Sequence, residues 1–113
     1  MSDQIKQPDA EGYVTAVPIS AIKPDEITQI DLNGVNLILT QWQGKIWAFN
    51  GRCPHASADL GEGHLGRGRI SCPDHDYKFD IRTGRTLWPE DEACRLKKYP
   101  VKVENSVVKV RLT

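Results

Sequence analysis

Nowhere in the 113 residues do apolar side chains run on for the roughly 20 positions that a membrane-crossing helix requires. The opening residues, Met1 to Gln7, hold no apolar stretch of a secretory signal, so a cytoplasmic address is expected. Neither sign of charge is in excess. Fifteen Lys and Arg balance fifteen Asp and Glu, which removes the basic face that a general nucleic-acid binder needs. No nucleic acid and no membrane is therefore expected as a partner. Cysteine is scarce and odd in number, at three, which argues against a disulfide framework and for metal or redox use. Long amphipathic helical patterns, internal repeats and low-complexity blocks are also missing.

What is there is a succession of short β-like runs broken by turn residues. Residues 1–11 are polar, contain Pro8 and read as a flexible N-terminal tail, leaving 12–113 as one domain of ordinary size. Strand-like composition recurs over 13–17, 27–32, 35–41, 45–49, 69–71, 77–81, 85–87, 101–103 and 108–112, with a brief helical turn or loop at 20–24. Asn33-Gly34 between two such runs is a strong hairpin signal, because both residues accept positive φ. Gln43-Gly44, Thr83-Gly84 and Glu104-Asn105 mark further turns. The stretch between Asn50 and Gly68 reads as one long irregular loop, a feature that is usually functional in a compact domain. The expected fold is all-β, a small antiparallel sandwich or barrel.

Two short motifs border that loop. Cys53-Pro54-His55 is followed, sixteen residues on, by Cys72-Pro73-Asp74-His75. Each pairs a thiolate with an imidazole where a β run meets a turn, so two adjacent loops could bring four donors to one point. Two sulfur and two nitrogen donors suit zinc, or a [2Fe–2S] centre in which two histidines replace two cysteines on one iron. The usual Cys2His2 zinc spacing pairs like with like, and the mixed Cys–His pairs here fit it poorly.

Cys-x-His, sixteen residues, then Cys-x-x-His resembles the Rieske ferredoxins and the Rieske domains of ring-hydroxylating oxygenases. The segments 77–84 and 99–103 resemble the strand, turn and closing segment of the same family, and the likeness covers about 13–112. It implies a Rieske-type sandwich with a cluster-binding subdomain formed by two loops, and one [2Fe–2S] cluster per chain. Cys53 and Cys72 would hold the inner iron, and His55 and His75 the outer one. The high-potential respiratory and photosynthetic members carry an extra cysteine in each loop, where this chain has Ala58 and Asp74, and a serine where it has Tyr77. Asp76 also departs from the family, which usually has Gly there. Asp tolerates positive φ better than most residues, so the loop is expected to survive the change. Asp74 and Asp76 flank His75 and would oppose an added electron. Pro54 and Pro73 would stiffen the loops, and Pro89 falls near the family's proline-containing loop over the cluster.

The remaining candidates have plainer readings. His64 is expected as an exposed loop residue, Cys94 as a free thiol, and Trp42 and Trp47 as packing residues. Arg52, Arg67, Arg69 and the charged runs 90–92 and 95–98 read as solvated faces that could steer a partner. The implied function is single-electron transfer from a flavin-containing reductase to a terminal oxygenase or other redox enzyme, by a monomer that is not itself an enzyme. No nucleotide fingerprint and no second, mononuclear iron domain is found. The rival readings are a small Rieske-like subunit of a nitrite-reductase-type enzyme and a zinc-stabilised interaction module.

Overall fold

The computed structural model of the chain describes residues 5–55, 58–74, 76–90 and 93–112. In chain order the strands are β1 (Tyr13–Pro18), β2 (Thr28–Leu32), β3 (Val35–Trp42), β4 (Lys45–Asn50), β5 (His64–Gly66) and β6 (Arg69–Ser71). They continue with β7 (Lys78–Asp80), β8 (Thr86–Trp88), β9 (Lys98–Tyr99), β10 (Val101–Glu104) and β11 (Val107–Arg111). Single 3₁₀ turns occupy Ile19–Ala21 and Leu60–Glu62. Three antiparallel sheets result, in the orders β1-β11-β10, β2-β3-β4-β9 and β5-β6-β7-β8.

The turns form where the residues accept a left-handed backbone. Asn33 and Gly34 have φ of 51° and 85°, and the Asp31 carboxylate accepts from the Gly34 N–H at 2.9 Å. This closes the β2–β3 hairpin in the register Leu32↔Val35. Gln43-Gly44 does the same for β3–β4. The last hairpin turns one residue later than its sequence suggests, at Asn105-Ser106, both with positive φ. Glu104 stays in β10, where its carboxylate reaches Lys109 at 3.0 Å and Lys102 at 3.4 Å.

The stretch between Asn50 and Gly68 is not irregular throughout. It contains a 3₁₀ turn and β5, which pairs with β6 through an Arg67-Gly68 turn. His64 is exposed, but on this strand rather than in a loop. Three residues are too few for an alternating pattern to register.

The β2-β3-β4-β9 sheet is the middle layer. Leu37 and Leu39 on one face of β3 join Val14, Leu32, Ala48, Val108 and Val110 in a core against the first sheet. Ile38, between them, points the other way and joins Phe49, Leu60, Ile70, Phe79, Ile81 and Leu96 against the third sheet. Period-two alternation with both faces covered explains the unbroken apolar run 37–39. Each such fully buried side chain contributes about 1.5–3 kcal/mol.

The segment expected as a tail is largely exposed from residue 5 onward, with several ties to the body. Lys6 and Asn33 exchange two hydrogen bonds, Lys6 N–H to Asn33 Oδ1 at 2.8 Å and Asn33 Nδ2 to the Lys6 carbonyl at 2.9 Å. The Asp9 carboxylate accepts from the N–H groups of Glu11 and Tyr13, and lies 2.8 Å from Lys102 Nζ and 3.5 Å from Lys109 Nζ. The Lys102 ammonium, followed by the Tyr13 N–H, holds the Asp9 carboxyl well below the usual carboxylate range. A depressed folded-state pKa stabilises the fold above the unfolded value of about 3.9 and loses that contribution as pH falls through the folded one. Asp9→Asn should therefore shrink the drop in thermal midpoint between pH 5 and pH 2, measured by circular dichroism. An unchanged acid slope would show that this anchor is idle.

Candidate metal centre

Two loops at one end of the third sheet carry the motifs. The first follows β4 and is closed at its neck, where the Leu60 N–H donates to the Gly51 carbonyl at 2.7 Å and the Gly51 N–H to the Asn36 carbonyl at 2.9 Å. Within it the Cys53 N–H donates to the Ala58 carbonyl at 2.8 Å. Asp59 caps the 3₁₀ turn at Gly61 N–H and accepts from Gln29 Nε2 at 2.8 Å, pinning the loop to β2. The second loop joins β6 to β7. Its Cys72 N–H donates to the Tyr77 carbonyl at 2.7 Å, and the Asp76 N–H returns to the Cys72 carbonyl at 3.0 Å. Asp76 has φ of 57°, the left-handed backbone that its tolerance of positive φ allows where the family usually has Gly.

Between the 3₁₀ turn and β5 the chain passes so close to the residue before Cys72 that a Cβ on Gly63 would lie 1.8 Å from the Ser71 carbonyl oxygen. Only glycine fits there.

Cys53 and Cys72 are 1% and 2% exposed and belong to one apolar cluster with Ile38, Phe49, Leu60, Ile70 and Phe79. Neither is in a disulfide, nor is half-buried Cys94. His55, in contrast, is exposed. Its imidazole lies face to face with the ring of Tyr77 from the other loop, with centroids 3.9 Å apart and planes 16° from parallel. Buried Phe79 stands 6.4 Å behind Tyr77, and Trp88 meets it edge-on at 6.5 Å. Trp88 is 51% exposed, carries the Lys78 ammonium 5.8 Å from its ring, and precedes a cis bond to Pro89. His75, the fourth expected donor, lies outside the described residues.

The donor set fits an iron–sulfur group: two soft thiols are shut into an apolar pocket, and an imidazole stands at its water-facing side. Burial within one cluster is also what two thiolates and their bridged metal need to stay dry. Trp42 and Trp47 pack against this same cluster, and Trp47 Nε1 donates to the Trp42 carbonyl at 3.1 Å, as expected of packing residues. Cys94 Sγ lies 3.6 Å from the Thr86 hydroxyl, whose O–H donates to the Cys94 carbonyl. Of the charged candidates, Arg67 and Arg69 line a surface recess with Trp42, Asp80, Arg82 and Leu87. Two residues near His55 carry no role in the motif pattern: Tyr77, which lies in the family-like segment 77–84 and stands where the high-potential members have serine, and Trp88. An aromatic run of Tyr77, Phe79 and Trp88 around the second motif was the available signal.

Residues 12–100 match the Rieske [2Fe-2S] domain family. Over 101 residues the chain is 34% identical to the ferredoxin component of the naphthalene 1,2-dioxygenase system of Pseudomonas putida, covering 89% of this chain and 96% of that protein. It is 32% identical over 104 residues to the ferredoxin component of the alkene monooxygenase system of Xanthobacter autotrophicus, covering 91% and 83%. The ferredoxin of carbazole 1,9a-dioxygenase from Nocardioides aromaticivorans superposes with a TM-score of 0.80 at 26% identity, over 89% of this chain and 98% of that one. A solved complex of reduced oxygenase and oxidised ferredoxin in carbazole 1,9a-dioxygenase contains a further match, with a TM-score of 0.79 at 25% identity over 88% and 93%. With the buried thiols and the surface imidazole where such a group needs them, the chain belongs to the Rieske [2Fe-2S] domain family, as a ferredoxin-type electron carrier with a single [2Fe–2S] cluster.

Proposed function

We propose that Cys53 and Cys72 hold the inner iron and His55 and His75 the outer one, and that the protein relays electrons from a flavin-containing reductase to a terminal oxygenase. The observation that carries this reading is the division of the donors, with both thiols buried and the described imidazole at the surface. The bound cluster supplies one reversible electron. Around it, Leu60, Ile70 and Phe79 exclude water from the thiolate side. The loop hydrogen bonds at Cys53 and Cys72 tie down the donor-bearing backbone, which would keep reorganisation on electron transfer small. His55, exposed beside Tyr77, which Trp88 meets edge-on, would give a partner close approach.

The oxygenase as acceptor is supported by the relatives, which are ferredoxin components of dioxygenase and monooxygenase systems. That likeness favours a free carrier over a nitrite-reductase-type subunit and over a zinc module. Among the described residues no helix is long and apolar enough to cross a membrane. In this reading the carrier is a cytoplasmic monomer.

Reconstitution tests it. With the reductase and oxygenase components of a naphthalene 1,2-dioxygenase system as probes, adding this protein should restore product formation that is lost when their own ferredoxin is left out. In parallel, dithionite should bleach the red-brown protein with uptake of one electron per chain. A colourless, zinc-containing preparation would overturn the reading.

A further inference from the structure

Tyr77 serves no step described so far, yet it makes the closest ring contact to a proposed ligand. Its phenol face covers the His55 imidazole at 3.9 Å, nearly parallel, from the opposite loop. Phe79, wholly buried, backs it at 6.4 Å, and Trp88 braces its edge at 6.5 Å. The Tyr77 carbonyl is held by the Cys72 N–H, so its backbone and ring tie the second cysteine to the first histidine.

We propose that Tyr77 is a positioning residue for His55: its ring sets the plane of the imidazole and keeps water from one face, which holds the cluster's midpoint potential down. The inference rests on His55 being an iron ligand. Reduction adds one negative charge to the centre, and water stabilises that charge better than an aromatic face does. With the ring removed, water reaches the imidazole, the reduced state gains, and the midpoint rises. The imidazole also loses the ring face that sets its tilt, within the range that its bond to iron allows.

The ring is what matters here, so Tyr77→Phe and Tyr77→Ala separate it from the hydroxyl. In the purified holoprotein, Tyr77→Phe should keep both the midpoint and the histidine nitrogen couplings seen by pulsed electron paramagnetic resonance of the reduced state. Tyr77→Ala should shift the midpoint upward and broaden or split those couplings. Should the alanine variant lose iron, Tyr77→Leu, which retains bulk but no ring plane, decides by the same readouts. The proposal falls if the ring-less variant has the wild-type midpoint and couplings, or if Tyr77→Phe alone reproduces the upward shift. Wild-type protein with no histidine nitrogen coupling would instead sink the ligand reading on which it stands.

Discussion

Cys72→Ala is expected to yield a colourless protein with iron and acid-labile sulfide below detection, while Cys94→Ser keeps both. The contrast follows from where the thiols sit. Cys72 is 2% exposed and shares its apolar cluster with Cys53, whereas Cys94 is half-buried beside Thr86. Alanine offers no donor in place of the lost thiolate. The cost to the fold should be local. Val14, Leu32, Leu37, Leu39, Val108 and Val110 form a separate core that contains neither motif cysteine. Metal binding and folding are linked, so amide exchange should speed up in residues 51–60 and 72–77 and in the third sheet. The core between the first two sheets should stay protected. Inductively coupled plasma analysis and hydrogen exchange read both halves of the prediction. Retention of the red-brown colour by Cys72→Ala would contradict the ligand assignment.

The second large effect is the midpoint potential itself, which should fall near the low end of the Rieske range, at roughly −150 mV within a span reaching about +300 mV. Two thiolates and two neutral imidazoles leave an oxidised [2Fe–2S] centre uncharged, where four thiolates would make it a dianion. Adding an electron to the neutral centre costs less in a low-dielectric site, which keeps the value above the roughly −400 mV of plant-type ferredoxins. Within the range, hydrogen bonds to the sulfurs and nearby charge decide. Ala58 and Asp74 preclude the loop disulfide of the high-potential members. At Tyr77 a ring packed on His55 stands where those members place a serine hydroxyl. Asp76 counts for less than its charge suggests, because Lys78 Nζ lies 3.0 Å from its carboxylate. Asp74 is exposed. The balance is fewer donors to the sulfurs and a small excess of negative charge, both of which disfavour the reduced state. Potentiometric titration followed by electron paramagnetic resonance measures it, and a clearly positive midpoint would show that some donor has been overlooked.

Much of the scaffold could be read along the chain because its rules act over a few residues. Asn33-Gly34 and Gln43-Gly44 turn where positive φ is cheap, β-branched and apolar composition marks β3, and alternating side chains mark β11. The exceptions are the elements too short to carry a pattern. Strand β5 has three residues and β9 has two, and each is held by its neighbour's edge rather than by its own composition. The last turn comes one residue later because Glu104 stays in β10, where it meets Lys109 across the hairpin as well as Lys102 on its own strand, and the cross-strand pair is invisible until the strands are side by side.

The chemistry divides along the same line. Donor types and spacing are properties of short motifs, so Cys53, His55, Cys72 and His75 could be singled out before any fold was known. The burial of the two thiols in one cluster was not written in either motif, nor was the Tyr77 ring over His55, twenty-two positions away. Nor were the ties from Asp9 to Lys102 and Lys109 near the far end of the chain. Local preferences choose which backbone shapes are cheap. Contacts between distant residues exist only once three sheets have stacked, and those contacts bury the two thiols together and lay the Tyr77 ring on His55.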